Sequence, residues 1–438
     1  MQKTRTISLS EWENSQPLQW LDKQPVYFES GDPARITAEK LTQANILSVI
    51  ETRNGISLGA SSYVGRINLG PLRITIQPKI KGLKLLRLVK YAYGLKDLKL
   101  YSDVDYDLKK DAFQEILIAQ LAMEVTNLIN RGLCRQYKRQ REDLSSPRGL
   151  IDINQIAANG GVITGRLPCI HYPRDIDCLP NQVIGAGLSL ASNICDNTML
   201  KSKLRRLNKY FLSEVSKVQI DYHVLRGLDR EANRLVGAYQ PAFRIIKILM
   251  EGQGVSMADQ DLVKFEGFLF DMNRFFQSLL SRFMNDYLAD YKVQDEFRLH
   301  VMMKYQAGKN PQNHRSPCPR PDFAIFEGNT MVRLLDAKYR NLWEKSLTRD
   351  MLYQLSIYAL SQEPGPKSEA AILYPTLDRS AREATIVIND PVTTQPRGKV
   401  TLRPVNLDIM DELLENREKL GVRSKVSDYA HQLAFGLR

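Results

Sequence analysis

The chain has 438 residues, 43% of them hydrophobic and 25% charged, with a mean hydropathy of −0.32. That apolar content can offset the entropy of ordering the backbone, which excludes disorder as the main state, and the length calls for two or three domains. Lys and Arg number 61 against 49 Asp and Glu, a net charge of +12, which favours a polyanion such as nucleic acid as partner; charge serving only solubility is the plainer alternative.

No apolar run approaches the ~20 residues of a membrane span, and the polar opening MQKTRTISLSEWENSQPLQW lacks the apolar core of a secretion signal, so a cytoplasmic protein with no membrane partner is expected. The five cysteines form no C-x-x-C pair and the five histidines no H-E-x-x-H motif, which argues against a disulfide framework, a zinc knuckle or a histidine-built metal centre.

The expected class is α/β (α+β) in three domains. Residues 1–82 read as a β-rich N-terminal domain, because 24–80 carry strand patterns with turns at Arg53-Asn54-Gly55 and Gly70-Pro71. Residues 83–258 read as a mainly helical middle domain, from the helical spacing of LLRLVKYAYGL and DAFQEILIAQLAMEVTNLINRGL. Two basic clusters lie there, Arg131, Arg135, Lys138, Arg139 and Arg141, then Lys201, Lys203, Arg205, Arg206 and Lys209; each could line a phosphate backbone or be a solvated face.

Residues 259–438 read as the last domain. VKFEGFLFDMNRFFQSLLSRFMNDYL is expected to be one long amphipathic helix and QDEFRLHVMMKY a strand. A polar loop follows at 307–320, then strands PDFAIFEG and MVRLLDAKY, helix LTRDMLYQLSIYALS, and strands AAILYP and ATIVIND. This order predicts a mixed sheet flanked by helices.

The residues that carry chemistry are Pro321-Asp322, Asp336-Ala337-Lys338, and Gln354 with Tyr358. D-x-K also occurs at Asp97-Leu98-Lys99 and Asp107-Leu108-Lys109, but in polar stretches. Asp336 instead ends the apolar run Met331 to Leu335, and charge at the end of a buried strand needs a reason. The two-residue period puts Asp336 and Lys338 on one face. A three-residue turn Gly328-Asn329-Thr330 would set Asp322 opposite Asp336, whereas a two-residue turn would pair it with Leu335. Converging carboxylates repel unless a cation lies between them, and oxygen ligation suits Mg²⁺ or Mn²⁺. With Lys338 beside it, such a site predicts phosphodiester hydrolysis. A strand-end ion pair of Lys338 with Asp322 or Asp336 would account for two of these residues and leave one carboxylate unpaired.

These motifs resemble the PD-(D/E)xK nuclease superfamily, and Gln354-x-x-x-Tyr358 resembles the helix motif of its RecB-like branch. LFDMNRFF, LLDAKYR, MLYQLSIYA, SPRGLIDI and DCLPNQVIGAGL together resemble the McrC family, nuclease subunits of McrBC-type modification-dependent restriction systems. The resemblance covers roughly residues 86–438 and, through YVGRINLGPLRITIQPKI, the N-terminal domain of longer members. It implies a nuclease domain at 259–438 with Asp322, Asp336 and Ala337 at the metal, Lys338 as catalytic lysine, and Gln354 and Tyr358 as supports. Gln277 stands where many members carry a helix glutamate, with Glu266 and Asp271 as nearby carboxylates. The resemblance also implies double-stranded DNA as substrate and a McrB-like AAA+ GTPase hexamer as partner. GTP would be bound by that partner, since the chain has no GxxxxGK[ST] loop. Arg53 at the hairpin tip is a candidate trans-acting group for the motor or a solvated turn residue, and the N-terminal domain would dock on the motor or contact DNA. Two other functions compete: a non-catalytic adaptor of the GTPase ring, or a RecB-like nuclease of DNA repair.

Overall fold

The computed structural model describes residues 4–436 apart from 21, 30, 81, 95–112, 162–164, 222–223, 226–235, 257–261, 265, 363–367 and 420. The architecture is mixed α/β, with eleven α-helices and several sheets among the described residues.

The N-terminal part contains β1 (Arg5–Ser10), α1 (Pro33–Gln43), and two hairpins, β2 (Leu47–Thr52) with β3 (Gly55–Ala60) and β4 (Tyr63–Leu69) with β5 (Leu72–Gln77). Both expected turns are present, since Thr52 pairs with Gly55 and Leu69 with Leu72. The helix α1 corrects the all-strand expectation for 24–80. Its start is nonetheless written locally: Asp32 caps it by accepting from the Ala34 N–H, and Pro33 occupies the first turn, where a missing N–H costs nothing.

The middle region holds α2 (Gly82–Ala92), α3 (Phe113–Arg131), α4 (Ile153–Ala158), α5 (Leu179–Ile194), α6 (Thr198–Glu214) and α7 (Gln240–Glu251). A small antiparallel sheet interrupts them, with β8 (Leu167–His171) between β6 (Gln140–Leu144) and β7 (Leu150–Ile151).

The segment expected to begin a long helix is instead a strand, β9 (Glu266–Asp271), and the helix α8 starts only at Met272 and ends at Tyr287. β9 runs antiparallel to β4 and completes a four-stranded sheet in the order β1, β5, β4, β9. Two glycines fit this joint. Gly65 and Gly267 have φ of +135° and +136°, and a Cβ on either would lie 2.2 Å from a carbonyl oxygen of the facing strand. The joint ties residues far apart in sequence into one core.

The last sheet has six strands, β10 (Lys292–Asp295), β11 (Phe323–Glu327), β12 (Thr330–Ala337), β13 (Glu369–Thr376), β14 (Ala384–Asn389) and β15 (Pro396–Asn406), in the order β10, β11, β12, β13, β15, β14. β12, β13 and β15 are parallel and the outer pairings antiparallel, which is the mixed sheet expected. The helix α9 (Arg349–Leu360) connects β12 to β13 and packs on β13 and β15, while α10 (Leu407–Glu415) and α11 (Val422–Phe435) close the chain. QDEFRLHVMMKY is not a strand beyond Asp295. Residues 296–322 form an irregular excursion, closed by Glu296 N–H on the Asp322 carbonyl and Leu299 N–H on the Pro319 carbonyl. No helix among the described residues is long and apolar enough to cross a membrane.

Candidate active site

The hairpin of β11 and β12 decides where Asp322 lies. Its turn is the two-residue one of the two forms the sequence allows, Gly328-Asn329, with Glu327 paired to Thr330. A two-residue turn alone would set Asp322 against Leu335. A β-bulge between Ile325 and Phe326 restores the other register: Phe326 faces Met331, but Ile325 faces Arg333 and Phe323 faces Leu335. Val332 is the extra residue. Asp322 thus comes level with the Asp336 end of β12, and the Ala337 N–H donates to Asp322 Oδ2 at 2.7 Å.

Asp336 lies at the buried end of β12 and is only 2% exposed, in a strand flanked on both sides. Its Oδ2 is 2.9 Å from Lys338 Nζ. Gln354, on α9, points its amide at Asp336 Oδ1 (3.4 Å) and at the Tyr358 hydroxyl one turn further along (3.0 Å). From the opposite direction, Gln277 in α8 donates to Asp322 Oδ1 at 2.9 Å. α8 is fixed by its apolar face, where Phe275, Phe276, Leu279, Leu280, Phe283 and Met284 are buried. The six side chains singled out in the sequence fall in two adjacent hydrogen-bonded groups, Gln277 with Asp322, and Lys338, Gln354 and Tyr358 around Asp336, linked through the backbone of Ala337.

The electrostatics follow from the count of charges. Burial first and the Asp336 carboxylate second push the Asp322 carboxyl up to about 7, against the pull of Lys338 and the Ala337 N–H. For Lys338 burial alone would lower the pKa, but the Asp336 and Asp322 carboxylates outweigh it and hold the ammonium above its usual value. Burial likewise raises the Tyr358 phenol. Two carboxylates facing one ammonium leave the cluster one positive charge short.

That donor set fits a divalent cation. Asp322, Asp336 and the Ala337 carbonyl are hard oxygen donors, suited to Mg²⁺ or Mn²⁺ retaining several waters. No group of three or more His, Cys, Asp and Glu side chains able to hold a metal occurs among the described residues. Asp271 does not supply a third carboxylate. Asp271 is the N-cap of α8, accepting from the Asn273 and Arg274 N–H groups, and Glu266 sits in β9 opposite Asn68.

The other sequence candidates lie apart from this group. Arg53 is at the β2–β3 tip, its carbonyl held by the Tyr27 hydroxyl at 2.6 Å. Arg205, Arg206 and Lys209 are on the outer part of α6, away from its buried Leu200, Leu204 and Phe211. The D-x-K triplets at 97–99 and 107–109 lie outside the described residues. A cavity of about 900 Å³ lies between α2, the end of α8 and α10, and none of the clustered residues lines it. The sequence reading missed the Ala337 N–H as a donor, and it missed Asn273 and Tyr339 beside the cluster; main-chain donors and hydrogen-bonded polar groups leave no trace in residue spacing.

Comparison with known proteins gives the family and the fold. The family described as "McrBC 5-methylcytosine restriction system component" matches residues 58–375, and the chain belongs to it. No protein of curated function matches. Among solved structures, the chain is similar over 97% of its length to 99% of a chain in the refined half-complex of Thermococcus gammatolerans McrB AAA+ hexamers with bound McrC, at 16% identity and a TM-score of 0.63. It also matches a chain of the Thermococcus gammatolerans McrBC complex, with 66% of this chain and 89% of that one covered, 17% identity and a TM-score of 0.46.

Proposed function

We propose that this chain is the DNA-cleaving subunit of a GTP-driven, modification-dependent restriction complex, a metal-dependent endonuclease of PD-(D/E)xK type acting on double-stranded DNA with a McrB-like AAA+ GTPase hexamer. The observation that carries the proposal is the charge-deficient cluster at the end of β12, where two carboxylates share a single lysine. Membership of the McrBC family supports the restriction setting. The full-length likeness in fold to a chain of a McrB and McrC assembly supports the GTPase partner, which would bind and hydrolyse the GTP and gain activity from contact with this chain.

Asp322, Asp336 and the Ala337 carbonyl would hold Mg²⁺ or Mn²⁺. A bound cation supplies neutralisation of the scissile phosphate and a more acidic water as nucleophile. The chain's own groups do the rest. Gln277 and the Ala337 N–H each fix one oxygen of Asp322, which sets the direction of its remaining lone pairs. Gln354, braced by Tyr358, does the same for Asp336. Lys338, a compact charge on a flexible stem, can leave Asp336 Oδ2 for a phosphate oxygen and stabilise the negative charge that develops as the P–O bond breaks.

The test is cleavage of methylated and unmethylated plasmid by the full chain plus a McrB-like GTPase from the same source, with GTP and Mg²⁺, comparing wild type with Lys338→Ala. Cutting of methylated plasmid by wild type alone is the expected result. A second reading rests on Gln277: a neutral amide in place of a third carboxylate suits a scaffold that binds the motor ring without cutting. No cleavage by either protein, despite mutual binding and stimulated GTP hydrolysis, would favour that reading. Equal cutting of unmodified DNA with a helicase partner would instead favour repair.

A further inference from the structure

The residue after the lysine, Tyr339, turns away from the cluster and enters the N-terminal β unit. It is 3% exposed, and its hydroxyl donates to Oε1 of Glu11, at 3.4 Å, across the interface between the two sheets. Glu11 follows the end of β1, is itself 2% exposed, and receives the Lys79 N–H on the same oxygen at 3.1 Å. Its other oxygen is buried without a hydrogen-bond partner among the described residues, so this carboxyl is held in an unfavourable setting.

A second connection runs in parallel. The Tyr339 N–H donates to Asn273 Oδ1, while the Asn273 amide donates to the buried Ser62 hydroxyl, whose carbonyl accepts the Met272 N–H. The Tyr339 ring also packs edge-on against Phe276, the neighbour of Gln277. The backbone on one side of Lys338 and the helix turn that carries Gln277 are therefore both moored to residues 11 and 62 of the N-terminal unit. A buried carboxyl with one idle oxygen is a costly way to fasten two sheets. An apolar residue there would leave the Lys79 N–H and the Tyr339 hydroxyl without an acceptor, so the polarity of Glu11 is tied to holding these two donors together.

We infer that Glu11 is a positioning residue for the active site: through Tyr339 it fixes the backbone of Lys338, so that docking or displacement of the N-terminal unit sets the alignment of the lysine against Asp336. The inference rests on the nuclease reading for what Lys338 does, and on the hydrogen bonds alone for how Lys338 is held. Burial pushes the Glu11 carboxyl up to about 7, which accords with a carboxyl whose hydrogen bonds only partly replace the water it has lost.

The test uses the full chain with its GTPase and three variants, Glu11→Ala, Glu11→Gln and Tyr339→Phe. Hydrogen exchange of the amides at 338–340 is followed alongside the kcat and KM of cleavage. Losing one hydrogen bond of ordinary net strength should speed exchange at 338–340 by about tenfold in Glu11→Ala and Tyr339→Phe, and lower kcat by a similar factor at unchanged KM for DNA. Glu11→Gln keeps an acceptor oxygen and should restore both. Unchanged exchange at 338–340 would overturn the inference, as would faster exchange spread evenly over β1, β4 and β5. If wild type does not cut at all, the nuclease reading fails, while the exchange data still decide whether Glu11 holds the strand end.

Discussion

Two buried charge clusters lie in the same six-stranded sheet, and they are balanced differently. Towards one end, Arg403, 2% exposed, is held by Glu383 (2.7 Å), Glu369 (3.2 Å) and the Leu433 carbonyl, and Arg333 approaches Glu369 at 3.7 Å. Two guanidinium groups answer two carboxylates. At the end of β12, Asp322 and Asp336 share Lys338 alone, and the carboxyl of Asp322 is driven up to about 7. The first cluster is complete as the chain folds and ties β15 to β13 and α11. The second has one carboxyl without a matching ammonium or guanidinium, to be balanced by a proton or a cation, and the same burial that stabilises a matched pair penalises a mismatched one. Burial of charge alone therefore does not separate the two clusters; the unbalanced count does.

The largest effect expected from this contrast is loss of cleavage in Asp336→Ala, by roughly a thousandfold or more, with assembly on the GTPase intact. Lost assembly in a pull-down would make Asp336 a structural residue. Arg403→Met should behave in the opposite way. Leaving Glu369 and Glu383 short of a cation costs about 3–5 kcal/mol in chemical denaturation, while the cutting rate per folded molecule stays near wild type. A substantial loss of rate at full folding would dissolve the distinction between the clusters.

The raised pKa of Asp322 gives a pH dependence of definite sign. The folded protein binds this proton more tightly than the unfolded chain, whose aspartates titrate near 3.8, so below that value its contribution to stability is fully present. The contribution then declines as pH rises and is gone above about 7. In cation-free buffer the melting temperature of wild type relative to Asp322→Asn should thus fall from about pH 4 to about pH 7 and then level off. Affinity for Mn²⁺ should climb over the same interval, because cation and proton compete for one carboxylate. A wild-type minus variant difference that does not change with pH would count against the buried, repelled Asp322.

The smallest effect concerns the outward-facing charges of α6. If Arg205, Arg206 and Lys209 meet the DNA backbone, alanine at all three should flatten the dependence of log K on log salt by up to about 0.9 for each phosphate left without its cation. An unchanged slope would return them to a solvated face.

Much of the cluster is legible in the sequence because few residue types end a buried strand as Asp336-Ala337-Lys338 does. The register that sets Asp322 level with Asp336 does not come from a three-residue turn: the turn has two residues, and the bulge at Ile325/Phe326 compensates. Nothing in the alternation of β12 marks that bulge. β9 reads as helix because Phe268, Leu269 and Phe270 are all buried, so the strand has apolar residues on both faces and no period of two. Its partner β4 is distant in sequence, Phe268 pairing with Arg66, and a long-range edge overrides local pattern. β15 is hidden in the sequence for the converse reason. Its interior carries Arg403, which reads as exposed until Glu369 and Glu383 are seen around it.

The most direct test of the central claim is anomalous scattering from crystals of the full chain grown with Mn²⁺ at about pH 7.5, above the raised pKa of Asp322. The account predicts one peak at about 2.2 Å from an oxygen of Asp322 and an oxygen of Asp336, with Lys338 Nζ withdrawn from Asp336, and no peak in Asp336→Asn. Saturating Mn²⁺ with no density between the two carboxylates, and Lys338 still bound to Asp336, would contradict it.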